Sequence, residues 1–228
     1  MATKPLQAVV IGGTGAVGSE LVSVLLKSEA WSSVTSIGRR EAPTPADLTP
    51  PQKAKLRQVV VDMDTLEQAG VAAMRGADSV FCALGTTRAS VSSAEEYAKV
   101  DRDYVAAAAK AACTAGVPHF AMVSAQGANP NMWGPHSKLL HGLFYMRVKG
   151  EAEEAAKSSG VAFVTIARPG MIDRGTFRSL SERISAAVLP KVASAAIARA
   201  LVKEGERVAA KNREDPVLYL NMAELQKA

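Results

Sequence analysis

The chain has few of the residues that build covalent or metal-centred chemistry. Its 228 residues include two cysteines, Cys82 and Cys113, and three histidines, His119, His136 and His141. Both cysteines sit inside apolar or alanine-rich runs. Their spacing suits neither a disulfide framework nor a metal site, and the histidines form no ligand cluster with them, so a reducing compartment is the default. No apolar run reaches the length of a membrane span. The first residues, MATKPLQAVVIGG, pass almost directly into a short apolar run, which leaves no room for a signal or transit peptide. The expected location is therefore cytoplasmic. Basic residues outnumber acidic ones, 27 to 22, but they are scattered, so no nucleic-acid tract is indicated. The excess suits an ordinary basic surface or attraction to anions such as nucleotide phosphates. There is no internal repeat and no low-complexity tail. With 48% hydrophobic residues, the length supports one substantial core.

What is present is a regular alternation. Apolar β-type runs at 6–13, 33–40, 57–64, 78–85, 118–124 and 161–170 are separated by helical patterns. In the first of these, Val17, Leu21, Val24 and Leu25 share a face. Residues 41–55 hold four prolines and read as a surface loop. Ser93 and Glu96 make a capping-box pattern before a long alanine-rich helix. VASAAIARALVKEG reads as a helix, and 216–228 as a strand and a terminal helix. Strands that are apolar throughout, alternating with helices, predict an α/β fold with a doubly wound parallel sheet covered on both faces. We expect one domain over 1–228, with 171–228 contributing a small substrate or lid region; FRSLSERISAAVLP (177–190) is the expected lid. Ligands of such sheets sit at the carboxyl ends of the strands.

The loop after the first strand is GGTGAVG. Gly13, Gly15 and Gly18 satisfy G-x-G-x-x-G, and Gly12, Gly15 and Gly18 give G-x-x-G-x-x-G. Glycine here permits a tight turn and close backbone approach to a pyrophosphate, and the following helix N-terminus favours an anion. Thr14, Ala16 and Val17 complete this loop as cofactor-binding candidates. At the end of the second strand, Arg39 and Arg40 stand where an acidic residue would hold a ribose 2′-hydroxyl. Two guanidinium groups suit a 2′-phosphate, which favours NADP(H), while Glu41 keeps NAD open. Asp62, after the third strand, either accepts from an adenine amino group or starts a turn.

Tyr145 and Lys149 lie four residues apart in a helical pattern and so share a face. Of the four tyrosines, only Tyr145 has a lysine at that spacing. Together with IGRR (37–40), ALGTTR (83–88), VDRDYV (100–105), SAQGAN (124–129), YMRVKGEAE (145–153) and RPG (168–170), in that order, the pair resembles the short-chain dehydrogenase/reductase superfamily. The match is to its extended or atypical branch, and in particular to the Tat-interacting-protein-like oxidoreductases. The resemblance implies that Tyr145 is a general acid toward a substrate carbonyl. It implies that Lys149 tunes Tyr145 and holds the nicotinamide ribose. A free tyrosine titrates near 10, and a neighbouring ammonium favours the phenolate. Leu84 and Gly85 would line the cofactor. Met171 and Ile172 would contact the nicotinamide. Thr86, Thr87 and Arg88 touch phosphate or substrate, or cap the next segment. Gly150, a glycine within a helix, suggests close backbone approach.

Two positions depart from the superfamily pattern. The expected hydroxyl after the fifth strand falls at Ser124-Ala125, where extended relatives carry it on the second residue. Ser124 either serves catalytically or bonds the backbone at a strand end, with Gln126 as a substitute donor. Asp101 stands near the usual asparagine. Trp133, His136 and His141 are placed to wall a substrate pocket, with Trp133 equally suited to be a packing anchor. The implied activity is NADPH-dependent reduction of a small carbonyl or enone. The alternative is an NADPH sensor that acts through a protein partner without turnover. A homodimer through a shared four-helix interface is common in the superfamily.

Overall fold

The computed structural model describes residues 4–134, 141–173 and 191–228. Its main sheet holds β1 (Leu6–Ile11), β2 (Trp31–Gly38), β3 (Leu56–Val60), β4 (Ser79–Cys82), β5 (His119–Val123), β6 (Phe163–Ala167) and β9 (Val217–Leu220). A separate pair joins β7 (Met171–Asp173) to β8 (Lys191–Ala193). All neighbours in the main sheet are parallel, in the order β3-β2-β1-β4-β5-β6-β9. The chain steps outward from β1 to β3, returns to β4 beside β1, and steps outward the other way. That reversal leaves a crevice above the carboxyl ends of β1 and β4.

The strand residues explain why both faces are covered. Successive side chains alternate faces. Ala8 and Val10 pack with Leu21, Leu25, Trp31 and Leu201, on the side of α1 (Ala16–Lys27) and the C-terminal helix Ser194–Ala209. Val9 and Ile11 pack with Leu66, Met74, Ala108, Ala112 and Ala152, on the other side. Each fully buried leucine or isoleucine contributes about 1.5–3 kcal/mol relative to exposure, so both layers are strongly held. Four alanines of the alanine-rich helix, Ala108, Ala109, Ala111 and Ala112, are fully buried, where small side chains permit close packing.

Three sequence expectations are corrected. The proline-rich loop contains a short helix, α2 (Pro50–Ala54), with prolines in its first turn and a complete Thr49–Gln52 capping box. Those prolines lose no hydrogen bond there. The third strand ends at Val60, and residues 63–65 form a 3-10 turn. The long alanine-rich helix is not uniform: α4 (Ala94–Ala98) and α5 (Tyr104–Thr114) are joined by a π-helical segment, Lys99–Asp103. The remaining helices are α3 (Leu66–Met74), α6 (His141–Lys157), α7 (Ser194–Ala209) and α8 (Met222–Leu225). Ser93 does cap α4, its hydroxyl accepting from the Glu96 N–H at 3.1 Å, but the Glu96 carboxylate turns to Ser92. The expected lid, 177–190, lies outside the described residues.

A polar chain crosses the buried sheet. Ser79 Oγ lies 2.9 Å from His119 Nδ1, and His119 Nε2 lies 2.9 Å from Thr165 Oγ1. Arg213 donates to that same Thr165 oxygen at 2.7 Å. Each ring nitrogen thus has a hydroxyl partner: the one carrying the proton donates and the other accepts. Burial, aided by the Arg213 charge, pushes the imidazole down to about 3 from 6.5. Above the unfolded value of 6.5 neither state is protonated and His119 has no pH effect. As pH falls from 6.5 toward 3 the unfolded chain takes up a proton that the folded chain refuses, and stability is lost. We expect a slope of about 1.4 kcal/mol per pH unit from this group in that window. Urea unfolding at several pH values should show the slope in the wild type and a flatter one in His119→Asn.

Candidate functional site

The crevice is floored by the glycine loop. Gly12 takes φ +86°, a left-handed conformation, and its carbonyl accepts from Gly15 N–H at 3.0 Å. A Cβ on Gly18 would overlap that carbonyl oxygen. The turn is thereby held tightly under the first turn of α1. That turn has no side-chain cap and no acidic residue, the kind of helix N-terminus at which anions are favoured.

A cavity of about 370 Å³ runs from this loop across the sheet. Thr14, Gly15, Ala16, Val17, Arg39 and Arg40 line one end of it; Leu84, Gly85, Thr86 and Thr87 line its middle; Ser124, Tyr145, Lys149 and Ile172 line the other end. A narrower cavity adjoins it, walled by Gly12, Gly13, Gly38, Met63 and Tyr104 together with both arginines. Arg39 and Arg40 are exposed, immediately after β2. Asp62 is not among the lining residues. Its carboxylate accepts from Asp64 N–H at 3.0 Å and caps the 3-10 turn, which is the turn alternative. Met171 is half-buried in β7 beside the cavity, and its neighbour Ile172 forms the wall.

Three side chains of α6 stand in a column one turn apart: Tyr145, Lys149 and Glu153. Lys149 is 5% exposed, and its Nζ lies 2.7 Å from Asp101 Oδ1. Asp101 is itself 1% exposed, and its Oδ2 accepts from Thr86 N–H at 2.7 Å. The π-helical segment is what presents this carboxylate, since an extra residue in the turn shifts the side chains that follow it. Asp101 thus ties the loop after β4 to the lysine of α6. Burial disfavours the Lys149 cation, but the Asp101 charge and the Tyr145 phenol outweigh it and hold its pKa above the ordinary value. Tyr97, packed edge-on to Tyr145 at 6.3 Å, is pushed up by burial and by Asp101. Burial also pushes the Cys82 thiol up, to about 11, which makes it inert rather than nucleophilic.

The loop after β5 is docked on α6. The Asn129 N–H donates to Met146 O at 3.0 Å, and a Cβ on Gly150 would overlap the backbone of Asn129 and Pro130. Gly150 therefore does mark close backbone approach. Gln126 is exposed, and its N–H donates to Pro169 O at 2.8 Å. Trp133 is 71% exposed, while His141 packs edge-on to Tyr97 at 5.0 Å. His136 lies outside the described residues. Ser124 is 3% exposed, and its hydroxyl donates to Glu153 Oε1 at 2.5 Å. A wider groove of about 570 Å³ lies outside the crevice, among α3, α4 and α6. Charged side chains on its walls pair with each other, as in Lys99–Asp64 at 2.6 Å.

A glycine turn under a helix N-terminus, at the switch point of a parallel sheet, is a dinucleotide cradle, and sequence comparison agrees. The model of a family described as NAD(P)H-binding matches residues 12–205. The chain belongs to that family. This NAD(P)H-binding protein is 33% identical to protein HTATIP2 of Rattus norvegicus over 165 residues, 72% of this chain and 61% of the relative. It is 35% identical to the mitochondrial protein fmp52 of Emericella nidulans over 164 residues, 71% of this chain and 65% of the relative. These matches span less than two thirds of those relatives' length. Among solved structures, MoeE5 in complex with UDP-glucuronic acid and NAD superposes with a TM-score of 0.69 at 20% identity, over 95% of this chain and 76% of that one. The oxidoreductase ylbE of Lactococcus lactis superposes with a TM-score of 0.66 at 18% identity, over 97% and 96%. At such identities the superpositions establish the fold. Among the described residues, no helix is long and apolar enough to cross a membrane.

Sequence reasoning did not single out Glu153, although its spacing of four from Lys149 places it on the same face. Tyr97 was missed as well. Its burial against Tyr145 depends on how α4 meets α6, which no local pattern shows.

Proposed function

We propose that this protein is an NADPH-dependent oxidoreductase that reduces a small carbonyl or enone. The observation that carries the reading is the placement of Tyr145 and Lys149 at the far end of the cavity whose near end is the glycine cradle and the two arginines. The nicotinamide, when bound, supplies the hydride. The chain's own residues do the rest. The α1 N-terminus and Gly12–Gly18 hold the pyrophosphate, and Arg39 and Arg40 take the 2′-phosphate with charge-assisted bonds. Leu84, Gly85, Ile172 and neighbouring Met171 exclude water from the ring. Lys149, kept cationic by Asp101, holds the ribose and sets the electrostatics of Tyr145. Tyr145 gives its phenolic proton to the substrate oxygen. A cytoplasmic site of action, where both cysteines stay free thiols, completes the reading.

A second reading has its own support. Ala125 is buried where extended relatives carry a hydroxyl, and the Ser124 proton goes to Glu153. A site short of a carbonyl donor suits a nucleotide sensor that signals to a protein partner. A paired calorimetric titration with NADPH and NADH tests the cofactor half of both readings. We expect NADPH to bind at least about tenfold tighter than NADH, the equivalent of one good charge-assisted contact. Arg39→Ala with Arg40→Ala should erase the difference. Equal binding by the wild type would remove the role given to the arginines.

A further inference from the structure

The Glu153 carboxylate is 1% exposed and accepts from three donors on two different strand ends. Ser124 Oγ–H reaches Oε1 at 2.5 Å. Arg168 Nε reaches the same oxygen at 2.9 Å, and its second nitrogen reaches Oε2, a two-pronged fork. Arg168 stacks in turn on Tyr219 at 4.3 Å. Ser124 follows β5 and Arg168 follows β6, so one carboxylate on α6 fixes both corners. Two backbone bonds run alongside, from Ser124 N–H to Ala167 O and from Gln126 N–H to Pro169 O, each 2.8 Å. The corner after Arg168 leads through Pro169 and Gly170 into β7, whose Ile172 lines the cavity together with Tyr145 and Lys149.

We infer that Glu153 is a positioning residue: through Ser124 and Arg168 it sets the nicotinamide end of the cleft and leaves the phosphate end untouched. A hydroxyl has one proton. With that proton on Glu153, Ser124 offers the cleft its lone pairs and no donor. The phosphate cradle is built by β1, α1 and β2 and shares none of these contacts. The inference rests on the nucleotide reading above and predicts a split that a purely structural carboxylate would not produce.

The test is calorimetry on the full chain with two probes, NADPH and 2′-phospho-ADP-ribose, which lacks the nicotinamide. In Glu153→Gln the amide must turn an N–H toward Arg168 or Ser124, which breaks the fork. We expect NADPH to bind about tenfold more weakly, the size of one lost charge-assisted bond. Binding of 2′-phospho-ADP-ribose should stay within about twofold of the wild type. Arg168→Lys, which keeps the charge but not the fork, should show the same split and serves if Glu153→Gln does not fold. Equal weakening of both probes would make Glu153 a scaffold residue and overturn the inference. Unchanged binding of both would overturn it as well. If the wild type prefers NADH, then NADH and ADP-ribose are the pair and the same split is expected. A wild type that binds none of the four overturns the nucleotide reading along with the inference.

Discussion

Replacing Tyr145 by phenylalanine is expected to lower turnover of any carbonyl the wild type reduces by about 10²–10⁴-fold, the range for a positioned general acid. NADPH affinity should stay within about threefold, because the lost hydroxyl acts on the substrate oxygen and not on the cofactor. The ring itself is kept, and with it the edge-on contact to Tyr97 at 6.3 Å. The cavity wall is therefore preserved while the proton is removed. Steady-state rates on a panel of aldehydes, ketones and enones, beside a calorimetric titration, separate the two effects. A variant that keeps full activity would show that some other group supplies the proton.

The second large effect is on stability. Lys149 and Asp101 form an ion pair with side chains only 6% and 1% exposed. Replacing Asp101 by leucine leaves the ammonium in that environment without a counter-charge, and also frees the Thr86 N–H it now accepts from. Breaking one side of a buried pair costs about 3–5 kcal/mol, a large share of a typical domain's stability. Adding Lys149→Met should restore much of the loss, since two apolar side chains can occupy the space of a buried pair. Urea unfolding of wild type, single variant and double variant measures this. A single variant within about 1 kcal/mol of the wild type would mean that Lys149 has another counter-charge or reaches water.

The fold was legible in the sequence because hydrophobic runs report burial. Val9 and Ile11 on one face and Ala8 and Val10 on the other need two covering layers, as a parallel α/β sheet supplies. The glycine turn was legible because backbone sterics alone demand glycine at Gly12 and Gly18. The π-helical segment at Lys99–Asp103 left no such mark. It has no proline and no glycine, and depends on which carbonyl each N–H chooses. Its consequence, Asp101 aimed at Lys149, was therefore visible only as a departure from a pattern. The short β7–β8 pair joins residues twenty apart in the chain, and three-residue strands carry no periodicity to read. The helix Pro50–Ala54 did carry a signal, Thr49 followed three residues on by Gln52, which the density of prolines masked. Glu153 shows the limit of motif reading most plainly. Its neighbours in sequence look like an ordinary charged helix face, and only the packing of α6 against the ends of β5 and β6 turns it inward.

The proposal of a working reductase is tested most directly by following the label from NADPH carrying deuterium at the nicotinamide C4 position, incubated with wild-type protein and the carbonyl panel. A reductase places that deuterium on the former carbonyl carbon, or the β-carbon of an enone, of at least one product, and does so far more slowly with Tyr145→Phe. Tight NADPH binding with no label transferred to any carbonyl would contradict the reductase reading and leave the cleft as a nucleotide sensor.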